Sequence, residues 1–200
     1  MPHSPRKRHS AALAAAAGSV LFAGAPSVRA EGAADPVRVT QTAMRLFNQG
    51  CIRNLRQEAG LREVLQAAGL RAAPADQATP HLGGRPGTLF VSNDPETPVA
   101  VIVRPAAAQC EARAPTADIA LAEREFRGMV EGLRSPAVMV RRDSEQRSSA
   151  GGRPGINVVY SAGAPPLEEG GARFAMQARE PMPGGIALSL TASGQPLDAR

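Results

Sequence analysis

The chain has no tryptophan, one tyrosine and five phenylalanines. Surfaces that stack bases or sugars need exposed aromatic rings at intervals. Phe22 lies in an apolar N-terminal stretch. The remaining rings, Phe47, Phe90, Phe126, Tyr160 and Phe174, are about what a core of this size consumes. Single-strand nucleic-acid recognition and aromatic sugar binding are therefore disfavoured. No G-x-x-x-x-G-K-[ST] phosphate loop, G-x-S-x-G elbow or H-E-x-x-H pair occurs. The motifs Gly83-Gly84 and Gly151-Gly152 are each followed by Arg-Pro, not by a helix start. The carboxylate pairs Glu168-Glu169 and Glu123/Glu125 read as ordinary solvated charges. No cofactor, metal or catalytic set is expected.

Long apolar runs are also missing. The longest stretch, residues 11–25, is rich in alanine and interrupted by Gly18 and Gly24. A membrane-spanning helix needs about 20 apolar residues. The stretch follows Arg6, Lys7 and Arg8, is broken by Pro26, and precedes Val28-Arg29-Ala30. A basic start, a short apolar centre and a small-residue site are the three parts of a secretory signal peptide. Residues 1–30 are expected to be such a signal, cleaved between Ala30 and Glu31, with an uncleaved anchor as the competing reading. The export route, general or twin-arginine, stays open. The working protein is expected to be periplasmic or secreted, with no stable membrane insertion after cleavage.

Removing that segment changes the charge. The chain carries 23 basic and 18 acidic residues, a formal net charge of +5. Arg6, Lys7, Arg8 and Arg29 fall in the signal, which leaves 19 basic residues against 18 acidic ones. Every basic side chain among those 19 is arginine, and both signs are scattered. Nucleic-acid binding needs a clustered basic footprint, so the chain's isoelectric point of about 10.4 does not argue for it.

Two cysteines occur, Cys51 and Cys110. In an exported protein an even count points to a disulfide. The sharper alternatives are a thiol nucleophile or a zinc site, and both need His81, the last histidine in the chain. His81 lies in Thr79-Pro80-His81-Leu82-Gly83-Gly84, which reads as an exposed loop.

Along the chain, Met44, Phe47, Cys51 and Leu55 make one helical stripe. Gly50, beside Cys51, suggests close approach of a neighbour, and Gly60 ends or kinks the run. Leu61, Val64, Leu65 and Ala68 mark a second helix capped by Gly69. Residues 71–87 read as a long loop, the leading candidate for a functional surface segment. Three strands follow, at residues 88–92, 98–104 and 109–113. In the second, Val99, Val101 and Val103 oppose Ala100 and Ile102, the mark of a central strand. Thr116 and Asp118 start a helix carrying Ile119, Ala122, Phe126, Met129, Val130 and Leu133 on one face. Strands are then expected at 137–142, around Ile156, Val158 and Tyr160, around Phe174, Met176 and Ala178, and around Ile186, Leu188 and Leu190. A flexible loop is expected over 147–154, and the tail after Thr191 should fray. The row Arg173/Gln177/Arg179 faces water and is a candidate surface for an anion or acidic partner.

There is no β-α-β rhythm. The expected fold is α+β: a single domain over 31–200 with a mainly antiparallel sheet of about six or seven strands and helices packed on one face. Phe47-x-x-x-Cys51 in an N-terminal helix, the strand Val99-Ala100-Val101-Ile102-Val103 and the strand cysteine Cys110 resemble small uncharacterised exported proteins common in proteobacteria. Where that family would place a tryptophan, Leu89-Phe90 stands here. The resemblance implies compartment and fold and carries no activity.

The functional expectation is a non-enzymatic periplasmic domain for binding or envelope interaction, its partner unknown, with an envelope protein the natural candidate. Two alternatives stand beside it. One is a small thiol enzyme using Cys51 or Cys110 with His81. The other is a partner-binding or inhibitory module acting through loops 71–87 and 143–154.

Overall fold

A computed structural model describes residues 34–149, 152–167 and 171–194. Asp35 opens helix α1 (Pro36–Leu46) by accepting the Val37 amide at 3.0 Å, with Pro36 at the first helical position. The buried side of α1 holds Val39, Thr40, Ala43, Met44 and Leu46. The run continues as a π-helical turn, Phe47–Ile52. A β-carbon on Gly50 would stand 3.1 Å from Leu61 Cδ1, so the close approach inferred from that glycine comes from the second helix. That helix, α2 (Glu58–Ala67), includes Gly60 in its first turn. The break falls earlier, at residues 53–57. Gly60 is needed for proximity, because its β-carbon would meet the Asn54 amide oxygen at 2.7 Å. Gly69 follows α2 with φ +84°, the left-handed cap expected of it.

Residues 71–87 are not a structureless loop. They hold most of strand β1 (Leu70–Ala72) and helix α3 (Ala75–Leu82). Strands β2 (Thr88–Ser92), β3 (Ala100–Arg104) and β4 (Gln109–Ala114) make the expected meander. Helix α4 (Ile119–Glu131) is capped by Asp118, not Thr116: the Asp118 carboxylate accepts the Leu121 amide at 2.9 Å. The Asp118 amide donates to Thr40 Oγ1 at 3.0 Å, which ties the start of α4 to α1. Four further strands follow: β5 (Met139–Ser148), β6 (Gly155–Gly163), β7 (Ala172–Arg179) and β8 (Leu188–Gly194). β5 runs well past Arg142, so the first half of the 143–154 segment, residues 143–148, is strand. β8 also continues beyond Thr191, with Ala192 fully buried.

The eight strands form one sheet in the order β1-β2-β3-β4-β8-β7-β6-β5, every pairing antiparallel. This is the expected α+β class with one more strand. The topology repeats: a helical segment precedes the meander β1–β4, and α4 precedes the meander β5–β8. The two meanders meet at β4 and β8. No sequence repeat announces this.

Alternation assigns the faces. Phe90, Val101, Val103, Cys110, Ala112, Val158, Tyr160, Phe174, Met176, Leu188 and Leu190 join the buried side chains of α1, the π-helical turn, α2 and α4 in one core. Phe47, Phe126 and Tyr160 run through it with ring centroids 6.3 and 6.0 Å apart. Ala78 of α3 packs instead with Leu89 and Ile102, which point the other way. Helices thus cover both faces at the β2–β3 end, a correction to the one-face expectation. Both sheet edges are protected. β1 is three residues long, and β5 carries Arg141, Arg142, Asp143, Glu145 and Arg147 with an irregularity between Arg142 and Ser144.

Candidate functional site

Cys51 and Cys110 form a disulfide with Cα atoms 5.3 Å apart. Cys51 is fully buried and Cys110 is 1% exposed. The bond joins the π-helical turn to β4 inside the helix-covered core. His81 is exposed in the last turn of α3, beyond the opposite face of the sheet. Thiol and imidazole therefore do not converge, and neither the Cys–His pair nor a Cys2His zinc set is assembled. Among the described residues no three His, Cys, Asp or Glu side chains gather as metal ligands. No described helix is long and apolar enough to cross a membrane. Ala30, Glu31 and the Glu168-Glu169 pair lie outside the described residues.

Glu123 is engaged in an ion network. Arg127 contacts Glu123 and Glu145 at 2.9 Å each, and Arg142 contacts Glu145 at 2.8 Å. The hydrogen bond from Arg127 holds the Glu145 carboxyl below the usual carboxylate range, and Glu145 raises the Arg127 value in turn. This network braces β5 against α4 at the margin of the core. The Tyr160 hydroxyl completes it from below, donating to Glu131 at 3.0 Å and accepting from Arg127 at 3.4 Å.

The second face of the sheet has another character. Register builds three cross-strand rows from β4 through β8, β7 and β6 to β5. The first is Gln109, Ser193, Arg173, Ser161 and Arg141. The second is Glu111, Thr191, Ala175, Val159 and Ser144. The third is Arg113, Ser189, Gln177, Asn157 and Gln146. No described helix packs on these rows. The Arg173/Gln177/Arg179 row read from the sequence belongs here, and all three side chains are exposed. Their strand neighbours turn the row into a broad polar platform.

The carboxylates of the platform are engaged. Arg113 grips Glu111 at 2.6 and 2.9 Å, and Ser189 donates to Glu111 at 2.8 Å. Asp143 accepts from Ser161 and from Arg141. Burial pushes the Asp143 carboxyl up, and the Ser161 hydroxyl and Arg141 outweigh it and hold the value below the ordinary one. Arg104 extends the first row from β3 and is 5% exposed. Its Nε has no hydrogen-bond partner, and its guanidinium reaches Glu111 only at 3.8 Å. Burial lowers its pKa, and Glu111 opposes that shift.

Alternation in the sequence marks the outward residues of β7; it does not show that β8 lies between β4 and β7 and fuses their outward rows. Arg104 on β3, Ser161 on β6, and Arg141 and Asp143 on β5 join this face only through the strand order. A groove of about 330 Å³ beside the turn at Asn54–Glu58 is lined by Leu61, Val103, Arg104 and Gln109, so it adjoins the end of the first row. Comparison of the chain with protein-family models, with curated proteins and with solved structures gave no match.

Proposed function

We propose that this chain is an exported, non-enzymatic binding domain of the cell envelope, and that it binds through the second face of its sheet. One observation carries the reading. Five adjacent strands, β4-β8-β7-β6-β5, present a largely polar face on which no described helix packs, while the opposite face of β4, β8, β7 and β6 is used by the core. Around Ala175 and Val159 at its centre, the Ser, Thr, Asn, Gln and Arg side chains of this face offer donors and acceptors in a fixed array. A rigid scaffold with its loops removed from the array is suited to recognition. The disulfide supports export, because such bonds persist in oxidising compartments.

The thiol-enzyme alternative loses its geometry, since the cysteines are bonded and His81 lies beyond the other face. The loop-module alternative loses most of its segments to β1, α3 and β5. The test is fractionation of tagged protein with N-terminal sequencing, combined with a photo-crosslinking residue at Gln177 or at Arg45 on the exposed side of α1. The proposal expects a periplasmic protein beginning at Glu31 and discrete crosslinks from position 177 only. Retention in the cytoplasm, or equal crosslinking from both positions, overturns it.

A further inference from the structure

Resting on that reading, we infer that the occupant of the second face is an acidic polypeptide segment bound in extended form. Three features point there. The first is charge. From β3 to β5 the face carries Arg104, Arg113, Arg141, Arg173 and Arg179 against Glu111 and Asp143. Both carboxylates are already satisfied by neighbours on the face, so the surplus is cationic. Arg173 is exposed and makes no ion pair within 4.0 Å among the described residues. Arg104 adds a buried cation with an unpartnered Nε at the end of the same row.

The second feature is spacing. Arg173, Gln177 and Arg179 lie on one side of β7, where same-face neighbours repeat about every 6.8 Å. An extended segment laid along β7 has that same repeat, so acidic side chains at alternate positions bring one carboxylate to Arg173 and another, three repeats or about 20 Å on, to Arg179. Arg173 and Arg141 flank Ser161 two strands apart, roughly 10 Å. Arg113 and Arg141 are engaged by Glu111 and Asp143, and Arg179 Nε donates to the Ile186 carbonyl at 2.7 Å, which leaves Arg173 as the exposed cation without an ion pair on this face among the described residues.

The third feature is what lies between the arginines. Ser161 and Ser189, whose protons go to Asp143 and Glu111, supply acceptors, and Ser193, Thr191, Asn157 and Gln177 supply acceptors as well as donors. Peptide N–H groups use acceptors; a phosphate polymer does not.

The experiment uses the full mature chain and a fluorescein-labelled peptide of six Glu-Ser repeats, read by anisotropy. A six-repeat Lys-Ser peptide and a polyphosphate of matched charge serve as comparisons. The expected result is saturable binding of the acidic peptide. Affinity should fall at least tenfold in Arg173→Glu/Gln177→Glu, fall severalfold in Arg173→Ala, and stay unchanged in Arg45→Glu. Raising salt should weaken it, since the contacts are exposed charges. Circular dichroism melts confirm that each variant is folded, and Arg173→Ala keeps the test valid if the double variant is not. Equal affinity in wild type and Arg173→Ala overturns the assignment. So does tighter binding of polyphosphate than of peptide, or a concentration-dependent dimer abolished by Arg173→Glu, which makes a second copy the occupant. Persisting crosslinks from position 177 with no peptide affinity defeat this inference alone; loss of both defeats the binding-domain reading as well.

Discussion

Cys51 in the π-helical turn and Cys110 in β4 are 59 residues apart in sequence and 5.3 Å apart between Cα atoms. Their bond fixes the N-terminal helical segment to the strand that lies at the junction of the two meanders. β4 pairs with β3 on one side and β8 on the other. The disulfide therefore holds one of the two strands, β4 and β8, at which the halves of the sheet meet.

Closing a loop of this length stabilises by about 4 kcal/mol on the chain-entropy model. Replacing both cysteines by alanine is expected to lower Tm by about 10 °C for a domain of this size. Denaturant titration of oxidised and double-alanine protein checks it. Thiol counting on unreduced, denatured protein should find no free thiol.

The aromatic line in the core separates packing from hydrogen bonding. Phe126→Ala removes a fully buried ring between Phe47 and Tyr160 and should cost about 3–5 kcal/mol. Tyr160→Phe keeps the ring and removes only the hydroxyl contacts to Glu131 and Arg127, with an expected loss of about 1 kcal/mol. Urea midpoints of the two variants give the ratio.

Two glycines should respond in opposite directions. Gly128 is exposed within α4, and a β-carbon there meets nothing within 4 Å. Gly128→Ala should stabilise by about 1 kcal/mol through helix propensity. Gly50 faces Leu61 and Leu65, so the added methyls of Gly50→Val collide with α2 and should destabilise. Thermal melts of both variants decide the signs.

Acid sensitivity has a defined source. Glu145 and Asp143 both have carboxyl pKa values lowered in the folded protein. Groups of this kind contribute stability that is present above the unfolded value, near 4, and is lost as pH falls through the folded value. Glu145→Gln, Asp143→Asn should therefore show a smaller loss of stability than wild type between neutral pH and pH 3. Tm measured across that range reads the difference.

Much of the fold was legible because its signals are local. The Val99-Val101-Val103 stripe, the alternation at Phe174, Met176 and Ala178, and the buried stripe of α4 each depend on a few neighbouring residues. The misses have physical causes. Pro80 sits inside α3, and composition around it reads as loop; β1 is too short to show alternation. Gly60 reads as a helix end, yet its smallness serves the approach of Asn54. β5 past Arg142 is all polar because both of its sides meet ions or water, so no hydrophobic pattern marks it. The candidate site was half visible. Outward-facing residues on β4 and on β7 follow from sequence alternation, but their union depends on β8 pairing with both, a contact between segments about 80 residues apart.

The most direct measurement is a backbone-amide NMR titration of the mature chain with the Glu-Ser peptide. The account predicts shift changes concentrated at Arg113, Ser161, Arg173, Ala175, Gln177, Ser189 and Thr191, with α1 and α4 undisturbed. Changes mapping to the helical side, or none at saturating peptide, would contradict it.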